Sequence, residues 1–64
     1  MPLTPRESAV IETQMQAEQM MVKKFAYYAA ITKDPQLRAQ FETNSAKHQN
    51  HYDRLREQLR QGGG

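Results

Sequence analysis

The sequence has no cysteine, and its only glycines are the three that close the chain. Without cysteine, neither a disulfide framework nor a thiolate metal site can stabilise the fold. A folded chain of 64 residues buries only about 60% of the surface that its unfolded form exposes, so its core is small. Association with another copy is the common remaining way to stabilise such a chain. We therefore expect an oligomer.

The sequence also lacks long apolar runs, long runs of like charge and phosphate-binding loops. No stretch approaches the roughly 20 apolar residues of a membrane span, and the start MPLTPRE lacks the apolar segment of a signal peptide, so we expect an intracellular protein without a membrane partner. The net charge of +2 is dispersed, which argues against nucleic acid. Because Ser8 and Ser45 have no recognisable base partner and no glycine-rich loop is present, we expect no enzyme activity.

The first helix has a clear start signal. Thr4 is an N-cap residue, Pro5 suits the first helical position, and Glu7 completes a capping box. No glycine or proline follows until Pro35. These features predict a helix over about residues 5–32.

The second helix follows after two or three residues. Asp34 can cap it, and a proline again opens it, which predicts a helix over about residues 35–60. Arg60 near its carboxyl end favours termination there. Residues 1–61 are therefore expected to form one helical hairpin, and residues 62–64 a flexible glycine tail.

The apolar residues of the first helix form two adjacent rows that cover about half of its circumference. The second apolar row consists of Val10, Ala17, Met21, Tyr28 and Ile31. One partner helix cannot cover so wide a surface, so the predicted fold is all-α: an antiparallel two-helix hairpin that dimerises into a four-helix bundle. The residues expected in the dimer core are Ile11, Met15, Val22, Phe25, Phe41, Leu55 and Leu59.

Glu18 and His48 are polar residues at positions where the helical spacing predicts an apolar residue that faces the core. Glu18 lies about 15 residues before the turn and His48 about 14 after it, so an equal axial rise places them face to face. An isolated carboxylate in a dry core costs several kcal/mol, so Glu18 needs a partner. One interpretation is a Glu18–His48 hydrogen bond that fixes the register of the bundle.

The other interpretation is a metal site. Helical bundles build carboxylate-bridged sites from a Glu and a Glu-x-x-His frame, but here that frame begins with Ser45, so the second carboxylate is absent. A two-fold dimer could still place two Glu18 and two His48 side chains around one zinc, iron or manganese ion. His51 is expected at the edge of the apolar arc, peripheral to such a site. We expect no cofactor, with a zinc, iron or manganese ion at Glu18 and His48 as the alternative.

Three segments, IETQMQAEQMMVKKFAYYA, DPQLRAQFE and AKHQNHYDRL, resemble the small spore coat proteins of the Coat F type found in spore-forming Firmicutes. That family belongs to the ferritin-like group of helical bundles. The resemblance runs from Leu3 to Leu59 and is most specific at Glu18, at the helix start 34–38 and at residues 47–52. It implies a coat-associated structural protein, made in the mother-cell cytoplasm and deposited on the spore coat, with itself and other coat proteins as partners.

The sequence departs from ferritin-like metal enzymes at Ser45, where those enzymes carry a glutamate, so their oxidase activity is not carried over. The expected function is that of a non-enzymatic, self-associating coat-type structural protein. One alternative is a ferritin-like metal-binding protein with the Glu18 and His48 site at the dimer core. A second is a helical adaptor that binds a partner's helix through its methionine-rich face.

Overall fold

A computed structural model describes residues 2–62, and these residues form two long helices. Helix α1 spans Pro5–Ile31 and helix α2 spans Pro35–Gly62, with residues 32–34 between them. The helices run antiparallel along each other, and residues 2–62 contain no strand, which confirms the predicted helical hairpin. Neither helix contains a stretch that is both long and apolar enough to cross a membrane.

The side chains predicted to cap the two helices do so. At the start of α1, the Glu7 N–H donates to Thr4 Oγ1 over 3.1 Å, and the Thr4 N–H donates to Glu7 Oε1 over 2.9 Å. At the start of α2, Asp34 Oδ1 accepts from the N–H groups of Gln36 and Leu37, at 2.8 and 3.3 Å. These bonds satisfy backbone donors that have no partner within their own helix.

Arg38 ties the first turn of α2 to the last turn of α1. Its Nε donates to the Ala29 carbonyl at 3.3 Å, and a terminal guanidinium nitrogen donates to the Thr32 carbonyl at 2.9 Å. The last turn of α1 has no basic residue of its own. Arg38 therefore supplies both the hydrogen-bond donors and the positive charge that the carboxyl end of a helix favours.

We expect Arg38→Ala to lower the free energy of unfolding by about 1–2 kcal/mol, because it removes two charge-assisted hydrogen bonds to helix-end carbonyls. Arg54→Ala, which removes an exposed arginine from the same helix, should change stability by less than about 0.5 kcal/mol. Chemical denaturation at one fixed chain concentration measures both. Equal effects of the two substitutions would contradict the role given to Arg38.

The open end of the hairpin is closed by contact between the two ends of the described chain. The Leu3 N–H donates to the Gly62 carbonyl at 2.8 Å. A Cβ atom on Gly62 would lie only 2.5 Å from Leu3 Cγ. The expectation that Gly62 belongs to a flexible tail is therefore corrected: α2 continues to Gly62, where the packed Leu3 holds the helix end. Gly63 and Gly64 lie outside the described residues.

The hairpin buries few side chains completely. Among residues 2–62, only Ala29 and Glu18 are classed as buried, with 6% and 8% of their surface exposed. Phe25 lies at the centre of an aromatic group, with its ring centroid 6.1 Å from that of Phe41 and 6.3 Å from that of Tyr28. All residues predicted for the dimer core are half-buried in the single hairpin: Ile11, Met15, Val22, Phe25, Phe41, Leu55 and Leu59.

Candidate functional site

Glu18 and two histidines form a polar cluster between the helices. Glu18 Oε1 lies 2.7 Å from His48 Nδ1, and Glu18 Oε2 lies 3.1 Å from His51 Nδ1. The contact between Glu18 and His48 confirms the prediction that they face each other. The three residues are called the Glu18 cluster below.

Contacts at two other levels hold the helices in the register that this cluster requires. The Ser45 hydroxyl donates to the Val22 carbonyl at 3.0 Å, about one helical turn from the cluster. Arg38 bonds the end of α1 closer to the turn. Hydrogen bonds at these two other levels thus hold the helices in the register at which Glu18 and His48 meet.

Ser45 has a structural role at the position where a Glu-x-x-His frame would carry its glutamate. Its small side chain hydrogen-bonds directly to the α1 backbone, at the Val22 carbonyl. A glutamate there would be too long for this short contact. The serine that replaces the second carboxylate therefore allows the two helices to make this direct contact.

The charge state of Glu18 follows from its surroundings. The hydrogen bond with His48 lowers the pKa of Glu18 below its ordinary value; burial opposes this shift, and positive charge on His48 and His51 adds to it. Glu18 is therefore an acceptor-only carboxylate at neutral pH. For both hydrogen bonds to form, each imidazole must carry a proton on Nδ1, an assignment that follows from the hydrogen-bond network.

Aromatic packing fixes the orientation of the histidine rings. The Phe25 ring stacks on His48 with centroids 5.8 Å apart and planes 8° from parallel. The His51 ring stands at 89° to that of His48, with centroids 5.9 Å apart. The His48 ring is thus held between an aromatic face and a carboxylate, which restricts its rotation.

His51 is the member of the cluster that sequence reasoning placed less well. Its side chain is 41% exposed, as the predicted edge position implies. However, it also contacts the second Glu18 oxygen directly, so it is not peripheral to the site. The three-residue spacing puts His48 and His51 on one side of the helix, but it does not indicate that one carboxylate contacts both.

Comparison of the chain with protein-family models, with curated proteins and with solved structures gave no match. The resemblance to Coat F type proteins therefore stays a prediction from the sequence.

The depressed pKa of Glu18 predicts acid sensitivity. A carboxylate whose pKa is lower in the folded than in the unfolded state stabilises the fold at pH values above the ordinary value of 4.5, and this contribution is lost as the pH falls through the folded value. The free energy of unfolding should therefore drop as the pH falls below about 5. Chemical denaturation between neutral and acidic pH, with a chelator present, measures this slope.

Glu18→Gln should reduce that slope, because the amide keeps a hydrogen-bond acceptor but does not titrate. The slope that remains comes from Glu7 and Glu57, whose pKa values are lowered by hydrogen bonds with Thr4 and Arg60. Glu12→Gln removes an exposed carboxylate from the same helix and should leave the slope close to that of the wild type. A wild-type slope in the Glu18 variant would show that the cluster does not control acid stability.

Proposed function

We propose that this chain is a non-enzymatic, self-associating structural protein of the spore coat type. The observation that carries the proposal is the apolar surface that one hairpin leaves uncovered. In the second apolar row, Val10 is 64% exposed, Ile31 57% and Tyr28 36%. Leu37 of α2 is 42% exposed. Apolar residues aligned on one helix side are typical of an interface.

The surface area of the hairpin supports the same proposal. The chain exposes 5165 Å², whereas a compact monomer of 7.4 kDa is expected to expose about 4,200 Å². The excess is similar to the roughly 800 Å² that each partner buries in a protein–protein interface of standard size. A second copy would therefore bring the exposed surface per chain close to that of an ordinary globular protein.

The elongated shape of the hairpin also favours a second hairpin as the partner. The Cα atoms extend over 47 × 14 × 10 Å, and their radius of gyration is 14.6 Å, against about 11 Å for a compact chain of this length. An antiparallel pair of such hairpins gives a four-helix bundle in which the second apolar row of each chain packs against the other.

In this proposal the Glu18 cluster fixes the register of the helices. A buried carboxylate that needs two N–H donors at one level penalises any axial shift of α1 against α2, because a shift would leave the charge without partners. Within residues 2–62, no buried side-chain nitrogen or oxygen lacks a hydrogen-bond partner. A rod with one defined register is suited to repeated, ordered assembly.

The spore coat assignment comes from the resemblance to Coat F type proteins, and localisation tests it. A fluorescent fusion produced in a sporulating bacterium is expected to collect at the forespore surface, after synthesis in the mother-cell cytoplasm. A fusion that stays diffuse through coat assembly would contradict this assignment. A diffuse fusion would not test self-association, which is measured separately with the purified protein.

The helical adaptor alternative predicts a different result. An adaptor would keep its apolar face free for another protein's helix, so the purified chain would remain a monomer. Affinity capture from sporulating cells would then recover an unrelated partner and no untagged copy of the chain itself. Recovery of the untagged copy, with or without other coat proteins, supports the self-associating protein.

A further inference from the structure

The Glu18 cluster brings together atoms that bind transition metals. Glu18 offers a carboxylate oxygen, His48 and His51 each offer an imidazole nitrogen, and one such atom from each residue lies within 4.8 Å of the other two. Two imidazoles and one carboxylate bind zinc and related divalent ions. We propose that the Glu18 cluster of one chain binds a single divalent first-row transition-metal ion of the Zn²⁺ type.

The distances within the cluster require little rearrangement. A tetrahedral ion with bonds of about 2.0–2.2 Å holds neighbouring ligand atoms about 3.4 Å apart. The Glu18 oxygens lie 2.7 Å from His48 Nδ1 and 3.1 Å from His51 Nδ1. The carboxylate therefore needs to separate from each of these nitrogens by less than about 1 Å. Ligand atoms that lie as far as 4.8 Å apart need to approach by about 1.4 Å.

The charges also favour an ion at this position. Glu18 is a buried carboxylate whose side-chain partners among residues 2–62 are the two imidazole groups, and a divalent cation compensates its charge directly. An ion bound at Nδ1 takes the place of the proton on that nitrogen, so each histidine binds it as a neutral imidazole with its proton on Nε2.

The histidines are oriented and accessible. Phe25 stacks on the His48 ring, which limits the rotation that would otherwise be lost on binding. The His48 side chain is 24% exposed and that of His51 is 41% exposed. An ion can therefore enter from solvent, and water can complete its coordination beside three protein ligands.

The site differs from the two-chain arrangement that the sequence suggested, because His51 supplies a third ligand from the same chain. A site built from one chain binds one ion per chain and does not depend on self-association. A site built from paired Glu18 and His48 side chains would bind one ion per two chains and would be lost in a monomer. Stoichiometry separates the two.

The test is titration of chelator-treated full-length protein with Zn²⁺ by calorimetry, and with Co²⁺ by visible absorption. We expect one Zn²⁺ per chain, a higher melting temperature with Zn²⁺, and Co²⁺ bands of low-symmetry, four- or five-coordinate type. His51→Gln and Glu18→Gln should each weaken binding by on the order of 100-fold. Glu12→Gln, which alters an exposed carboxylate, should bind as the wild type does.

His51 is the more exposed of the two histidines, so its variant is expected to fold, and circular dichroism verifies this. Met21→Glu, designed to block self-association, should still bind one Zn²⁺ per chain, so that failure of assembly and failure of metal binding can be told apart. One ion per two chains, unchanged binding in the His51 variant, or no saturable Zn²⁺ binding would each overturn the proposal.

Discussion

Phe25→Ala is expected to lower the free energy of unfolding by about 3 kcal/mol, the lower end of the range for large aromatic truncations because Phe25 is only half-buried. The Phe25 ring contacts Phe41, Tyr28 and His48, and so joins the aromatic group to the Glu18 cluster. A chain of 64 residues has roughly 3–10 kcal/mol of stability in total. The variant should therefore keep only roughly 0–7 kcal/mol and unfold at a clearly lower temperature and denaturant concentration than the wild type.

Tyr27→Ala is the matched control for this prediction. Tyr27 is an aromatic residue of the same helix that is 61% exposed, so its truncation should cost less than about 1 kcal/mol. Thermal and chemical denaturation, followed by circular dichroism, compare the two variants. Similar losses at both positions would show that the aromatic group does not organise the core.

Met21→Glu is expected to abolish self-association while leaving the hairpin folded. Met21 lies at the centre of the second apolar row and is half-buried in the single chain. In a bundle its side chain would lie between two hairpins, where an unpaired carboxylate costs several kcal/mol. The dimer dissociation constant should therefore rise by on the order of 1000-fold, since each 1.4 kcal/mol is a factor of ten.

Met20→Glu provides an unusually close control. Met20 precedes Met21 directly but points about 100° away around the helix, and it is 70% exposed. The same charge there should leave the dimer dissociation constant within a few-fold of the wild-type value. Dissociation of both variants would indicate a general effect of added negative charge. If neither variant dissociates, the interface lies on a different surface.

The parts of the fold that depend on local chemistry were predictable from the sequence. The capping box at Thr4 and the Asp34 cap follow from short-range rules, and both are present. Proline placement and a short connection then define a hairpin. Because helix rise is constant, counting residues from the turn was sufficient to predict that Glu18 meets His48.

Features that depend on the reach of side chains were not predictable in the same way. A helical projection places His51 about 60° from His48 around α2. The Glu18 carboxylate nevertheless reaches both, because it has two oxygens that can accept hydrogen bonds from different directions. Arg38 reaches across the turn to carbonyls of the other helix. The contact of Leu3 with Gly62 depends on how the helix ends meet.

Ser45 illustrates a third limit. Comparison with a Glu-x-x-His frame identifies it as a missing ligand, but the sequence does not indicate what the serine does instead. Its hydrogen bond to the Val22 carbonyl requires the helices to be in close contact at that level. Such contact depends on the packing of the whole hairpin, and the local sequence pattern does not encode it.

We propose that one hairpin pairs with a second copy, and sedimentation equilibrium of the untagged wild-type protein measures this pairing. At micromolar chain concentrations, we predict a mass at least twice the 7.4 kDa of one chain, decreasing on dilution together with thermal stability. A 7.4 kDa monomer at every concentration, with cooperative unfolding independent of concentration, would show that the hairpin does not pair with a second copy.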